Sequence, residues 1–416
     1  MNLFANLLKR QRGCTALLSP MIETPGGAEP SPPRVGVVYK NYPGWGAGIG
    51  FYRMFIRSLE MAAGECGIEF GMLADRTDEK TMRSLKQLPG ACWGQCVRHG
   101  QPDWAETAAA HRLDVIIDLY NSSPWAAGVP VISWIPDFQH IHLPEYFTPE
   151  DIAHREKSFA QQAEHSHAVL FSSESAASDY RRLYPAFADK AVVARFPSNL
   201  VFETLPSGNP AETAAAYHLP PKFAMVANQF WTHKNHQLVI QAAALAKSAG
   251  VTVPVVFTGL PSDYRDPANG PTSRILQEIA RNGLSGQVVP LGQIPYADLI
   301  QLMRACSLII QPSRFEGWST VVQDAKTLGR PLMCSDLDVH REQAPQALGF
   351  FGCAAPRELA DLLGRFWPDL SEGQGDDTPE RLRGHLKSAR EYGMVTALTA
   401  RSAANNRPPA AASTRR

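Results

Sequence analysis

A chain of 416 residues exceeds one ordinary core and suits two domains of about 150–200 residues with a cleft between them. Hydrophobic residues at 44% and charged residues at 19% exclude the low-hydrophobicity, high-charge composition of a disordered chain. The 40 basic and 40 acidic residues cancel, so net charge points neither to nucleic acid nor to a strongly acidic partner, and any charge-based recognition is local.

The seven cysteines are odd in number, scattered and without a Cys-x-x-Cys pair, which argues against a disulfide framework and a zinc site and points to a reducing compartment. No apolar run of about 18 residues is present, so no membrane-spanning helix is expected. At Met1 to Arg12 an apolar patch precedes Lys9, Arg10 and Arg12, the reverse of a secretory signal's order. Residues 1–33 are therefore expected to form a disordered leader in a cytoplasmic protein, although the same patch could lie peripherally on the inner face of a membrane.

Order is expected from Arg34. The run Val35 to Tyr39 predicts a strand, the glycine-bearing loop to Gly50 follows, and Phe51 to Ala63 has helical spacing. Short apolar runs at Ile68 to Leu73, Val115 to Leu119, Pro130 to Trp134 and Ala168 to Phe171 predict buried parallel strands, with helices at Pro149 to Glu164 and Ser173 to Leu183. A Pro- and Gly-bearing stretch over 201–221 predicts a linker, which separates a domain at 34–200 from one at 222–370. In the second domain, strands are expected at Phe223 to Ala227, Val253 to Thr258, Val288 to Leu291, Ser307 to Gln311 and Pro331 to Cys334. The helices between and after them are expected at Asn235 to Ser248, Ser273 to Arg281, Ala297 to Ala305, Ser319 to Leu328 and Pro356 to Trp367. Residues 371–416 form a polar tail in which a helix could span 381–401. Alternating strands and helices imply α/β architecture, two Rossmann-like doubly wound domains whose ligands sit beyond the strands' carboxyl ends.

The segment Pro312-Ser-Arg-Phe-Glu316-Gly317-Trp-Ser319-Thr320 follows an apolar strand and opens a helix. Strand, turn, helix suits phosphate, because the free N–H groups of the first helical turn and the positive end of the dipole favour an anion. Ser319 or Thr320 can cap that helix and Gly329 can end it, with Pro331 preventing continuation. Glu316 and Asp324 bracket the helix start, placing carboxylate acceptors on either side of a diphosphate.

This segment, with Ala325 to Pro331 and Ser335 to Glu342 after it, resembles the signature of the retaining family-four glycosyltransferases of the GT-B fold, a Glu followed eight positions later by a second Glu. Asp324 stands at the second position, one methylene shorter. Ala227-Asn228-Gln229-Phe-Trp-Thr-His233-Lys234 resembles the family's diphosphate-holding region, where Lys234 matches a Lys and Gln229 stands where the family has Arg. Leu291-Gly292-Gln293-Ile294-Pro295 resembles the loop that receives the nucleotide base. The resemblance implies a nucleotide-diphosphate sugar as donor, transfer with retention, and no metal or other cofactor. On it, Glu316 orients the donor sugar, Lys234 with Ser319 and Thr320 stabilises the leaving diphosphate, Asp324 takes the ribose, and Asn228, Gln229, Gly292, Ile294 and Gly317 complete the donor site.

In the first domain, Gly44-Trp-Gly46-Ala-Gly48-Ile-Gly50 lets backbone approach a ligand closely, although it is not the dinucleotide pattern, and Gly46 and Gly48 are candidate donor contacts. The stretch Ile132 to Glu145 carries Asp137, His140 and His142 after a strand and is similar to a family segment in which some members have His-Asp where this chain has Pro136-Asp137. Asp137, His140 and His142 are candidates for acceptor contact or proton transfer, with Asp137 and His140 expected near the acceptor. The implied partners are a nucleotide sugar and a glycan or lipid-linked acceptor, with surface polysaccharide synthesis as a destination by analogy. The alternatives are a nucleotide-sugar epimerase on the same architecture and a non-catalytic sugar-nucleotide binding module.

Overall fold

The computed structural model describes residues 31–40, 48–74, 79–85, 103–119, 122, 124–203, 205–262, 270–373 and 379–406. Gly46, most of the expected leader and the end of the tail lie outside the described residues.

Two six-stranded parallel sheets form the frame. The first contains β1 (Arg34–Tyr39), β2 (Glu69–Ala74), β3 (Val115–Asp118), β4 (Val131–Trp134), β5 (Ala168–Phe171) and β6 (Ala191–Val193), in the spatial order β2-β1-β3-β4-β5-β6. The second contains β7 (Ala224–Val226), β8 (Val255–Thr258), β9 (Val288–Gly292), β10 (Leu308–Gln311), β11 (Leu332–Ser335) and β12 (Gly349–Phe351), in the order β12-β11-β10-β7-β8-β9. Central strands such as Val115–Asp118 and Leu308–Gln311 are buried at every position, so these segments read as continuous apolar runs rather than alternating ones. Two strands absent from the sequence expectation, β6 and β12, are three-residue edge strands too short to leave a pattern.

In each sheet the strand order reverses once, between β1 and β3 in the first and between β7 and β10 in the second. Loops leaving neighbouring strands at such a point diverge to opposite faces and open a crevice. The two crevices face one another.

The stretch expected to be a linker is ordered structure. Pro210–Ala216 is a helix capped by Asn209, and it packs beside the helix Tyr296–Ala305 through a Tyr217 hydroxyl bond to Asp298 of 2.7 Å and Gln301 Nε2 bonds to the carbonyls of Pro206 and Ser207. The tail is likewise more than polar chain. Helix Pro379–Asn405 begins on the second domain, where Arg381 and His385 hydrogen-bond to the carbonyl of Lys326, and ends in the core of the first, where Tyr392, Ala397, Ala400 and Ala403 are buried. Small residues one or two helical turns apart give this helix a face that approaches the backbone of helix Gly48–Cys66, which a charge count over the whole tail conceals. No helix among the described residues is long and apolar enough to cross a membrane.

The tightest point of that packing is Gly393, where an added Cβ would lie 1.8 Å from the carbonyl oxygen of Ser58. Gly393→Ala is expected to lift the tail helix off the first domain and destabilise the protein by about 1–3 kcal/mol or more. Gly384→Ala on the same helix meets nothing within 4 Å and is expected to be neutral or slightly stabilising. Thermal unfolding of the two variants side by side checks both.

Candidate active site between the two domains

The second crevice is built on two polar residues at the carboxyl ends of its flanking strands. Gln311 ends β10 fully buried, and its carbonyl oxygen accepts from the Asn228 amide at 3.0 Å, which ties the β7 and β10 ends together across the reversal. The Gln311 amide donates to Ser313 Oγ at 3.1 Å and to Glu316 Oε1 at 2.8 Å. Glu316 Oε1 also meets Lys234 Nζ at 2.7 Å, with both side chains nearly buried at 10% and 13% exposed. Lys234 reaches this point because Asn235 adopts a left-handed conformation (φ 59°) that turns the chain into helix His236–Ser248, while its own amide bonds to the carbonyls of Pro312 and Cys353.

Burial pushes the Glu316 carboxyl up, but the Lys234 ammonium and the Ser313 hydroxyl outweigh it and hold the group below the usual carboxylate range. His340 lies fully buried nearby. Burial pushes its imidazole down, so it is neutral at pH 7, with Nδ1 donating to the Ser335 carbonyl at 2.9 Å.

Glu316 forms part of the wall of a cavity of about 600 Å³ that both domains line. Ile49, Gly50, Phe51, Arg53, Trp134 and Asp137 come from the first domain, and Gly317, Trp318, Thr320 and Asp324 from the second. Gly317 is the point of closest approach, since an added Cβ would lie 2.3 Å from the Pro136 carbonyl oxygen. The Trp318 indole and the Gln323 amide both donate to the Phe196 carbonyl, at 3.0 and 2.8 Å, and fasten the helix Thr320–Thr327 to the chain crossing between domains. On the rim, Glu342 accepts from the Glu174 N–H at the start of helix Glu174–Leu183 and from Arg195 Nε at 2.5 Å.

Four carboxyl groups line this cavity, and each has a partner. Glu316 has Lys234; Glu203 has Arg53 at 3.0 Å; Asp137 accepts from the Gln139 N–H at 2.9 Å and lies 3.9 Å from Arg155; Asp324 accepts from the Ser198 hydroxyl at 2.5 Å. Burial pushes the Asp324 carboxyl up to about 7 in spite of the Ser198 bond, with Glu203 adding to the rise. Three of the four carboxyl groups thus have a cation at 3.9 Å or less, and Asp324, partnered by a hydroxyl, keeps its proton up to about 7.

The sequence candidates divide. Glu316, Gly317, Thr320, Asp324 and Asp137 line the cavity, and Lys234 stands behind the wall, bonded to Glu316. Ser319 does not line it: its hydroxyl caps Val322, its N–H donates to Gln343 and its carbonyl accepts from the Gln343 amide at 2.6 Å, so it shapes the helix start while Thr320 lines the cavity. His140 is a correction. It is 2% exposed among Phe138, Phe147 and Phe159 and outside the cavity wall, and burial pushes its imidazole down. His142 instead bonds Asp179 at 2.6 Å and packs on Phe315 of the other domain. Asn228 serves the Gln311 bond, and Gln229 is half-buried beside it. Gly48 is buried at the helix start next to the cavity-lining Ile49 and Gly50. Gly292 takes a φ of 68° at the end of β9, and Ile294 packs partly on the second core; neither lines the cavity, though Tyr296 two residues on does. Arg53, Ser198, Asn199, Glu203 and Tyr296 had no sequence motif to mark them.

Two parallel sheets whose reversals face each other over an acidic-and-basic crevice define a GT-B architecture. Residues 214–363 match the family model described as glycosyl transferases group 1. A 230-residue stretch is 23% identical to the O-antigen chain mannosyltransferase B of Escherichia coli, covering 55% of this chain and 57% of that protein, so the match spans little more than half of its relative. Anabaena Alr3699/HepE in complex with UDP and glucose shares the fold with a TM-score of 0.58 at 15% identity, over 88% of this chain and 94% of that one. A glycosyltransferase from Rickettsia africae does so with a TM-score of 0.60 at 13% identity, over 88% and 96%.

Removing one partner of a buried ion pair leaves the other uncompensated, at a cost of about 3–5 kcal/mol. Lys234→Met is therefore expected to destabilise the ligand-free protein strongly, and Lys234→Met with Glu316→Gln markedly less, a coupling that a double-mutant cycle of unfolding free energies measures. A second expectation concerns pH. Because the folded Asp324 holds its proton up to about 7 while the unfolded one releases it in the ordinary carboxylate range, this group lowers stability as pH rises between those values and changes nothing further above them. Its slope is at most about 1.4 kcal/mol per pH unit. Asp324→Asn is expected to remove that slope from denaturant titrations run between pH 4 and 8.

Proposed function

We propose that this chain is a glycosyltransferase that moves a sugar from a nucleotide-diphosphate donor to a glycan or lipid-linked acceptor with retention of configuration. The observation that carries this reading is the Lys234–Glu316 pair at the β7/β10 reversal, whose glutamate lines the same cavity as Asp137 of the first domain. The family match over residues 214–363 supports it, as does the fold shared with a protein whose solved complex holds UDP and glucose. The mannosyltransferase relative favours a hexose as the transferred sugar and surface polysaccharide synthesis as the setting.

In the proposed reaction the diphosphate enters beside Lys234 and the start of helix Thr320–Thr327. The ammonium and the first-turn N–H groups stabilise the charge that develops on the leaving oxygen, in place of a metal ion. Drawing Lys234 toward the phosphates loosens its hold on Glu316, which turns its carboxylate to the sugar's hydroxyls and fixes the ring. The acceptor hydroxyl approaches from the first domain beside Asp137 and attacks the anomeric carbon on the face the diphosphate leaves. Its proton passes to the departing phosphate oxygen.

Glu316→Gln keeps the volume and the hydrogen-bonding reach while removing the charge, and is expected to lower turnover of the nucleotide sugar by about 10²–10³-fold. The assay follows release of nucleoside diphosphate and the anomeric configuration of the product by NMR. Undiminished turnover in this variant refutes the role assigned to Glu316. An epimerised nucleotide sugar appearing without acceptor refutes the transferase reading in favour of an epimerase.

A further inference from the structure

We propose that Ser198, in the chain crossing between the two domains, is a substrate-binding residue whose hydroxyl acts with the Asp324 carboxylate to receive a vicinal diol. The inference rests on the cavity being a nucleotide-sugar site and adds to it a residue from outside the family-matched stretch.

Ser198 is 3% exposed, yet it lines the cavity together with Asp324. Its hydroxyl hydrogen is committed to Asp324 Oδ1 at 2.5 Å, and it accepts from the Leu200 N–H at 3.0 Å. A hydroxyl oxygen has two acceptor positions, so one remains. Asp324 Oδ2 has no partner among the described residues. The wall therefore presents two neighbouring acceptors. The donors around them are turned elsewhere, since Arg53 Nη1 bonds Glu203 Oε1 at 3.0 Å and the Asn199 amide bonds the same carboxylate.

That arrangement selects by chemistry. A phosphate needs donors and is repelled by a carboxylate. A single carbonyl or ring nitrogen finds nothing to bond. Two hydroxyls on adjacent carbons each supply one hydrogen and match both acceptors. An aspartate is one methylene shorter than a glutamate, and Ser198 restores the lost reach by extending the acceptor surface into the cavity. The shared ligand chemistry is a vicinal diol, which the ribose of the nucleotide and the transferred sugar both offer.

The two sources are separated by binding measurements at pH 8, where Asp324 is ionised. UDP, GDP and ADP are compared with their 2′-deoxy and 3′-deoxy counterparts on the wild type, S198A and S198T, by calorimetry and thermal shift. If the diol is the ribose, the wild type is expected to prefer the ribonucleotide by roughly tenfold. S198A then loses the discrimination against one of the two deoxy forms and keeps it against the other, while S198T restores it. If the diol belongs to the sugar, diphosphate affinities are equal in all three proteins, whereas the nucleotide sugar binds S198A about tenfold more weakly and S198T normally. A purely structural serine leaves both ratios unchanged in a variant that melts with the wild type, and that result overturns the inference while leaving the transferase reading intact. No stabilisation of the wild type by any nucleoside diphosphate removes both. Should S198A not fold, S198C keeps a weaker acceptor of similar size and carries the same readout.

Discussion

A lysine and a glutamate, both nearly stripped of water, meet at 2.7 Å where the strand order of the second sheet reverses. Desolvating two charges is costly, and their attraction offsets the cost only when other polar groups complete the geometry. Here the completion comes from the strand ends. Gln311 donates to the carboxylate while Asn228 holds Gln311, and Asn235 turns the backbone so that Lys234 arrives from the opposite side. Asn228, Gln311, Ser313, Glu316 and Lys234 therefore form one connected set at the reversal. An arrangement of this kind is poorly justified as a stability device, because apolar residues of similar volume would serve as well. It keeps a cation and an anion side by side in a crevice, and in the reaction proposed above an arriving diphosphate redistributes them.

The facing domain is held to that crevice by contacts of short reach. Gly317 passes so close to the Pro136 carbonyl that no side chain fits between, and Phe196 takes hydrogen bonds from both Trp318 and Gln323. Glu342 adds a carboxylate at the N-terminus of helix Glu174–Leu183, where the dipole and free N–H groups favour it. The helix Pro379–Asn405 then starts on one domain and buries its alanine face in the core of the other. The second domain thus supplies the contacts that close the first over the site, and the chain crosses back to reinforce them.

Much of this was legible in the sequence because fully buried parallel strands leave unbroken apolar runs. Ten of the twelve strands announced themselves so, and only the three-residue edges β6 and β12 did not. The Glu316 to Asp324 segment was legible because its strand, turn and helix are contiguous. His140 misled for the converse reason: a histidine after a strand carries no mark of whether its ring turns to a cleft or to three phenylalanines. Arg53, Ser198 and Glu203 were invisible because they reach the cavity from a helix and a crossover separated from it by well over a hundred residues in some pairings, and only the folded chain makes them neighbours.

The stretch read from sequence as the edge of a linker turns out to matter most for Asp324. Placing a carboxyl against the crossover rather than in open solvent raises its affinity for a proton, since burial disfavours the charged form. The Ser198 hydroxyl opposes that shift by donating to the ionised group, and the nearby Glu203 reinforces it. Arg53 neutralises Glu203 from the first domain, so the charge state of Asp324 depends on three separate pieces of chain meeting correctly. The protonation state of Asp324 is therefore a property of the assembled pair of domains rather than of the second domain alone.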